Sequence, residues 1–394
     1  MKKFIFIIPI IMFFCGCTDY KELNNIAIVT GISIDLENNE YKVSTLISNS
    51  KKTEESAKEG DAGTVIYEGT GKNISMALKK IDNRIPKQIY LGHLSVVVVS
   101  KKVAKKGLDK VSDYLFRSPE TTKRAYLIMT RNDNKASDVL KILSPLESFP
   151  SQNIKLNIEN SNNTSSISDD MTYSKFMESY LKKGIEPYLP TIKTYGNEKK
   201  GSSSKSLEST DLKAFVGLKG LALFKDTKFI HYTTDNESRG INIAIGNISD
   251  MIIETKCNDG YIITALSNLK TTKKVKFKNN KPYIDINIKS DGAIQEITCD
   301  INLYDKKNIE YIQNKTKNKV KKLVQEGIDI TKEYETDVYG FGNLIYKKKP
   351  AYFKKIKNWN KAYKNLNINI NVDIDIQTKG AIKQSLKAAR NNEK

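Results

Sequence analysis

The chain has 394 residues, with 65 Lys and Arg against 45 Asp and Glu and a formal net charge of +20. That length exceeds one ordinary hydrophobic core, so two or three domains are expected. Two histidines and four cysteines, with no paired Cys-x-x-Cys or His-x-x-x-His, argue against a zinc site.

At the N-terminus, Met1-Lys2-Lys3 precedes an apolar run from Phe4 to Phe14 that is too short to span a bilayer as a stable helix. Gly16 before Cys17 then suits a signal peptidase, so residues 1–16 read as a bacterial lipoprotein signal and Cys17 as the lipidation site. A diacylglycerol thioether on Cys17, whose amine cleavage would free, would supply the two acyl chains that stable anchoring needs. Phe14 stands where Leu is usual in such signals, and Cys15 where a small residue is usual. Losing Lys2 and Lys3 with the signal leaves a charge of +18, and no later segment approaches eighteen consecutive apolar residues. The excess charge suits anionic headgroups, or simply a lysine-rich solvated surface. A nucleic-acid partner is not expected of an exported chain without zinc finger, RNP-like run or basic helix-turn-helix.

Residues Asn24 to Asp35 and Tyr41 to Ile47 are β-rich and flank Asn38-Asn39, which predicts a hairpin. Lys51 to Gly63 is charged, small and aperiodic, as in a loop. Asn73 can cap a helix carrying Ile74, Leu78, Ile81 and Ile85 on one face and stopped by Pro86. Leu94 to Val99 is apolar except for Ser95, as expected of a strand covered on both faces. One helix is expected from Val103 to Leu115, then a strand at Ala125 to Met129 and a helix from Ala136 to Leu143. An Asn- and Ser-rich stretch, 157–168, leads to a helix with Tyr173, Phe176, Met177, Tyr180 and Leu181. Residues 196–210 lack apolar side chains almost entirely and read as a linker between an N-terminal region, 17–195, and a C-terminal domain, 211–390; 48–86 is a candidate smaller domain within the first.

Past the linker, Gly217 to Phe224 and Lys228 to Tyr232 predict a hairpin, followed by strands near 250–256, 260–266, 272–278, 282–289 and 294–303. Asp291-Gly292 signals a turn between the last two. A long amphipathic helix shares Ile309, Ile312, Thr316, Val320, Leu323 and Val324 on one face, with lysines from Lys315 to Lys322 on the other. The final strand alternates Leu366, Ile368, Ile370, Val372, Ile374 and Ile376 with polar residues. Cys257 and Cys299 lie in strand-like segments; the exported compartment would permit pairing, but two buried free thiols are the favoured reading.

No Gly-x-Ser-x-Gly elbow or phosphate-binding Gly-rich loop occurs, and Tyr339-Gly340-Phe341-Gly342 reads as turn chemistry. His93 reads as a partly buried imidazole bonded to backbone, and Asp35 as an Asx-type cap. Glu237 with Arg239, and Arg117 with Glu120, read as structural ion pairs. The tract Lys347 to Lys357 with Trp359 mixes basic and aromatic residues; it either contacts headgroups or an acidic partner, or forms an amphipathic helix with Tyr352, Ile356, Trp359 and Tyr363 inward.

The chain resembles the Ger(x)C family, the lipoprotein C subunits of nutrient germinant receptors in bacterial spores. The likeness rests on Cys17 with Tyr20-Lys21-Glu22-Leu23-Asn24 and Ala27 to Asp35, and on Leu91-Gly92-His93-Leu94 to Val99 with Gly107-Leu108, Asp113 and Phe116-Arg117. It continues in Gly220 to Phe224, Glu237-Ser238-Arg239-Gly240, Asp337 to Gly342, and Trp359 before the last strand. The resemblance implies an α+β fold of three mixed α/β domains, mostly antiparallel sheets with packed helices, the C-terminal one strand-rich with a long amphipathic helix. It further implies no enzymatic activity, no cofactor, receptor A and B subunits as partners, and a place on the outer face of the spore inner membrane. A solute-binding lipoprotein of a transporter is the alternative, although the second half lacks the βα repeats of such lobes.

Overall fold

The computed structural model describes residues 22–49, 63–131, 134–163, 166–258 and 260–376. The signal with Cys17, all but the last residue of the loop 51–63, and positions 377–390 of the C-terminal domain lie outside the described residues. In chain order come β1 (Ile26–Glu37), β2 (Glu40–Ser48), β3 (Thr64–Gly71), α1 (Ile74–Asp82), β4 (Gln88–Tyr90), β5 (Val96–Val99), α2 (Lys101–Lys106) and α3 (Asp109–Arg117). Then follow β6 (Tyr126–Thr130), α4 (Ala136–Lys141), α5 (Pro150–Asn163), α6 (Tyr173–Leu181), β7 (Tyr188–Gly196), α7 (Glu198–Gly201), β8 (Ala214–Lys225) and β9 (Lys228–Tyr232). The remainder is α8 (Asp235–Ile245), β10 (Met251–Lys256), β11 (Tyr261–Lys278), β12 (Lys281–Ile297), α9 (Lys306–Glu333), α10 (Phe341–Lys348), α11 (Pro350–Phe353), α12 (Trp359–Lys364) and β13 (Asn367–Ile376).

Two sheets carry this α+β fold. The first has the order β3-β2-β1-β5-β6-β7-β8-β9, with β4 also on β1. Its edges are antiparallel hairpins, whereas β1, β5, β6 and β7 run parallel through the centre. Val96 and Val98 face one core and Val97 and Val99 the other, as a strand covered on both faces requires. Asn38 and Asn39 both take positive φ, the conformation a tight hairpin turn demands. Asn73 caps α1, its Oδ1 accepting from the Met76 N–H at 2.9 Å.

The second sheet runs β10-β11-β12-β13, with α9 across it. Ile312, Thr316, Val320, Leu323 and Val324 are its buried stripe, as periodicity predicts. One buried cluster extends from Val29 and Val97 in the first sheet through Phe176, Phe224 and Phe341 to Ile286 and Ile370 in the second, so the halves share a core.

Segment 196–210 holds α7 and a 3-10 turn, Ser204–Glu208, and joins β7 to β8, which are hydrogen-bonded neighbours in one sheet. Within 48–86, β3 pairs with β2 along its length. Several expectations need correction. The helix expected over 103–115 breaks at Gly107, whose φ of +116° no helix accommodates, and the next N–H, that of Leu108, bonds Thr227 O at 2.9 Å. Asp291-Gly292 is no turn; both residues sit inside β12, paired with Ser267 and Leu266 on one side and Asp375 and Ile376 on the other. The turn falls instead at Asn279-Asn280, both at positive φ. Cys257 and Cys299 form a disulfide, not free thiols. They follow β10 and β12, the two strands that flank the start of β11, and that placement brings their Cα atoms to 6.4 Å.

Candidate functional site

Where α9 ends, the chain reverses through Glu335, at φ +53°, into Thr336 and Asp337. Asp337 is fully buried. Its Oδ1 accepts the Phe341 N–H at 3.1 Å, and its Oδ2 accepts the Gly342 N–H at 2.8 Å and the Trp359 Nε1–H at 2.9 Å. The carboxylate thereby meets two of the N–H groups that the start of α10 leaves without helical partners. Burial pushes the Asp337 carboxyl up to about 6, against the pull of these three donors and of Lys273. Lys273, from β11, donates to Ile245 O at 3.1 Å and Tyr339 O at 3.4 Å; burial lowers its pKa while Asp337 opposes the shift.

The same loop clasps the first sheet just before β7. Glu186 N–H donates to Asp337 O at 2.9 Å, and Asn343 N–H to Gly184 O at 3.0 Å. Gly184 sits at φ +73°, and a Cβ there would lie 2.5 Å from the Gly342 carbonyl carbon, so only glycine permits this approach. The Glu186 carboxylate accepts from Asn360 Nδ2 and from the Asp226 N–H, both at 2.6 Å. Thr336 Oγ1 donates to Phe224 O at 2.8 Å, Lys225 pairs with Glu335 at 3.2 Å, and His231 stacks on Tyr334 with centroids 4.1 Å apart. A second tie uses buried Asp169, which accepts from the Tyr188 hydroxyl and from Asn247 Nδ2, and whose carboxyl burial raises. The buried polar groups of this join are mostly spent on one another, which suits mechanical coupling of the two sheets. Among the described residues no group of three or more His, Cys, Asp and Glu could hold a metal ion.

The residues singled out from sequence are scattered. Trp359 joins the site: besides its bond to Asp337, its ring lies where a Gly342 Cβ would be, 2.5 Å away. Glu237 and Arg239 do not pair. Glu237 closes a capping box with Thr234 at the start of α8, while the Arg239 guanidinium, its pKa lowered by burial, donates to Ile252 O. Arg117 pairs with Asp113 one helical turn back, at 2.8 Å, rather than with Glu120. His93 is exposed, with its ring edge-on to Tyr90 and not held in the core. Asp35 is a cap, though of a distant helix: it accepts the Ala136 and Ser137 N–H groups of α4 at 2.9 and 3.0 Å. The tract 347–363 forms three short helices instead of one; Tyr363 is buried, and Tyr352, Ile356 and Trp359 are half-buried. Asp337, Glu186 and Gly184 were missed as a unit. Their signals are the family-like block Asp337 to Gly342, with its acid four and five residues before Phe341-Gly342, and Gly184 after a helix.

Two family models match the chain in order: a spore germination protein N-terminal domain over residues 19–194, and a spore germination B3/GerAC-like C-terminal domain over residues 219–380. Spore germination protein KC of Bacillus subtilis (strain 168) is 28% identical over 88% of this chain and 88% of its own length. Spore germination protein B3 of the same organism is 22% identical over 92% of this chain and 93% of itself, and GerQC of Bacillus cereus is 22% identical over 87% and 90%. The crystal structure of the GerBC protein superposes with a TM-score of 0.53, covering 91% of this chain and 99% of that one at 18% identity, which speaks to the fold. With both models spanning the two sheets and the join between them, the chain belongs to the GerAC-like, or Ger(x)C, family of spore germination proteins.

Proposed function

We propose that this chain is a non-enzymatic subunit of a spore germinant receptor, held to the outer face of the spore inner membrane by acyl chains on Cys17 and acting with A and B subunits in nutrient-triggered germination. The observation that carries the reading is the ordered match of both halves to spore germination domains, and residues 1–16, read as a lipoprotein signal before Cys17, agree with it. No helix among the described residues is long and apolar enough to cross a membrane. A cleft of about 790 Å³ lies among α1, α3 and α6, lined by Tyr41, Asn73, Asp109, Tyr114 and Tyr180. It is on one face of the first sheet, not between the halves where a solute-binding protein closes. Affinity capture of the tagged chain from spore membranes tests the assignment: A and B subunits co-purify if it is correct, and a transporter permease without them would replace it.

A further inference from the structure

Charge is segregated in the C-terminal half. From Gly260 to Ile284 there are six lysines and no Asp or Glu, and from Val338 to Val372 eight lysines and again no acid. The fold packs these two segments together. Lys349 Nζ donates to Asn280 Oδ1 at 2.8 Å, Lys348 Nζ to Val275 O at 2.6 Å, and the Tyr352 ring meets Phe277 edge-on at 5.6 Å. The β11–β12 tip and helices α10–α12 thus sit together, with Lys354, Lys355 and Lys357 exposed on the helices and Lys274, Lys278 and Lys281 exposed on the strands of the tip. The nearby carboxylate, Asp285, is neutralised by Lys276 at 2.7 Å.

Strand register shows how this surface is turned. Ile34, Val99, Met129 and Thr191 stand abreast across the parallel strands, so β1, starting at Ile26, and β7, starting at Tyr188, begin at the same end of the sheet. Three interstrand spacings, roughly 14 Å, separate these two strands. Gly184, just before β7, carries Gly342 and hence the start of α10. The stretch from Cys17 to Ile26 reaches at most about 30 Å when extended. The lipid-bearing end of the chain and the basic helices therefore leave the first sheet from the same side. We infer that the surface formed by the β11–β12 tip and α10–α12 lies against the bilayer and binds anionic lipid headgroups, a second membrane contact beside the acyl anchor.

This inference rests on the lipid-anchored reading, and its test avoids the lipid. The mature chain, expressed without signal or acyl groups, is sedimented with vesicles of phosphatidylcholine alone or mixed with phosphatidylglycerol, at low and high salt. Binding is expected only with phosphatidylglycerol, falling with salt. Changing Lys354, Lys355 and Lys357 together to Gln is expected to weaken it about 100-fold, as removal of three near-surface lysines predicts. The matched triple Lys306→Gln, Lys307→Gln and Lys315→Gln, at the start of α9, removes the same charge and is expected to weaken it far less. Three results overturn the inference: no phosphatidylglycerol-dependent binding, equal loss in both triples, or capture of an acidic receptor subunit, not vesicles, as the property the first triple loses. Mass analysis of the Cys17 peptide from spore membranes reads the acyl anchor separately, so failure of the anchor and failure of the headgroup contact are told apart.

Discussion

Replacing Asp337 by Asn probes the buried join through its pH dependence. The carboxyl is held at about 6 in the fold against 3.8 when exposed, so between those values the folded chain binds more protons than the unfolded one. Stability from this group is therefore fully present below the exposed value and is lost as pH rises through about 6. Linkage over that shift gives about 1.4 kcal/mol of added stability for the wild type on going from pH 7 to pH 5. Asn has no proton to take up, and its single carbonyl oxygen cannot serve Phe341 N–H, Gly342 N–H and Trp359 Nε1–H together. An unmet buried donor costs about 1–3 kcal/mol, offset at pH 7 by removal of a buried charge. The expected outcome is modest destabilisation at pH 7 that deepens by about 1.4 kcal/mol at pH 5, by the linkage above. Urea unfolding of both proteins at the two pH values measures it, and the protein's overall charge largely cancels in the comparison. A gap that stays constant or narrows on acidification would refute the reasoning.

Gly184→Ala should destabilise by about 2–4 kcal/mol, because positive φ strain adds to a Cβ placed 2.5 Å from the Gly342 carbonyl carbon; a change within 0.5 kcal/mol in urea unfolding contradicts the close approach. Replacing Cys257 and Cys299 by Ser opens a cross-link over a sequence separation of 42 and should cost about 4 kcal/mol on chain-entropy grounds, with matching loss on reduction of the wild type. If reduction leaves the unfolding midpoint unmoved, the cysteines are not paired in the folded protein. Cys17→Ala should shift the chain from the membrane to the soluble fraction of spore lysates; full retention in the membrane would assign anchoring to partner contacts instead.

How far the residues foretold the fold depended on how local the deciding physics was. The Asn38-Asn39 hairpin, the Asn73 cap, the doubly covered Val96–Val99 strand and the α9 stripe are each decided within a few residues, and each appears where periodicity placed it. Gly107 was read as part of a helix because its break depends on Leu108 reaching Thr227, more than a hundred residues away. Asp291-Gly292 carries good turn chemistry, but pairing with β11 on one side and β13 on the other outweighs it, and Asn279-Asn280 makes the turn. The polar segment 196–210 joins two strands that pair with each other, a contact its composition does not reveal. For the site, Trp359 and the Asp337–Gly342 block stood out as family-like segments, whereas Glu186 and Gly184 did not, since their roles exist only once the two sheets meet. Glu237 and Arg239, two apart on α8, project differently around the helix, which is why the charge pair drawn from sequence does not form.

The central claim is that this chain serves nutrient-triggered germination as a receptor subunit. Its most direct test is germination of spores that lack the chain in a strain without paralogues, scored after a nutrient and after a non-nutrient trigger. Loss of the nutrient response with the non-nutrient response intact is the predicted result; an unchanged nutrient response contradicts the account.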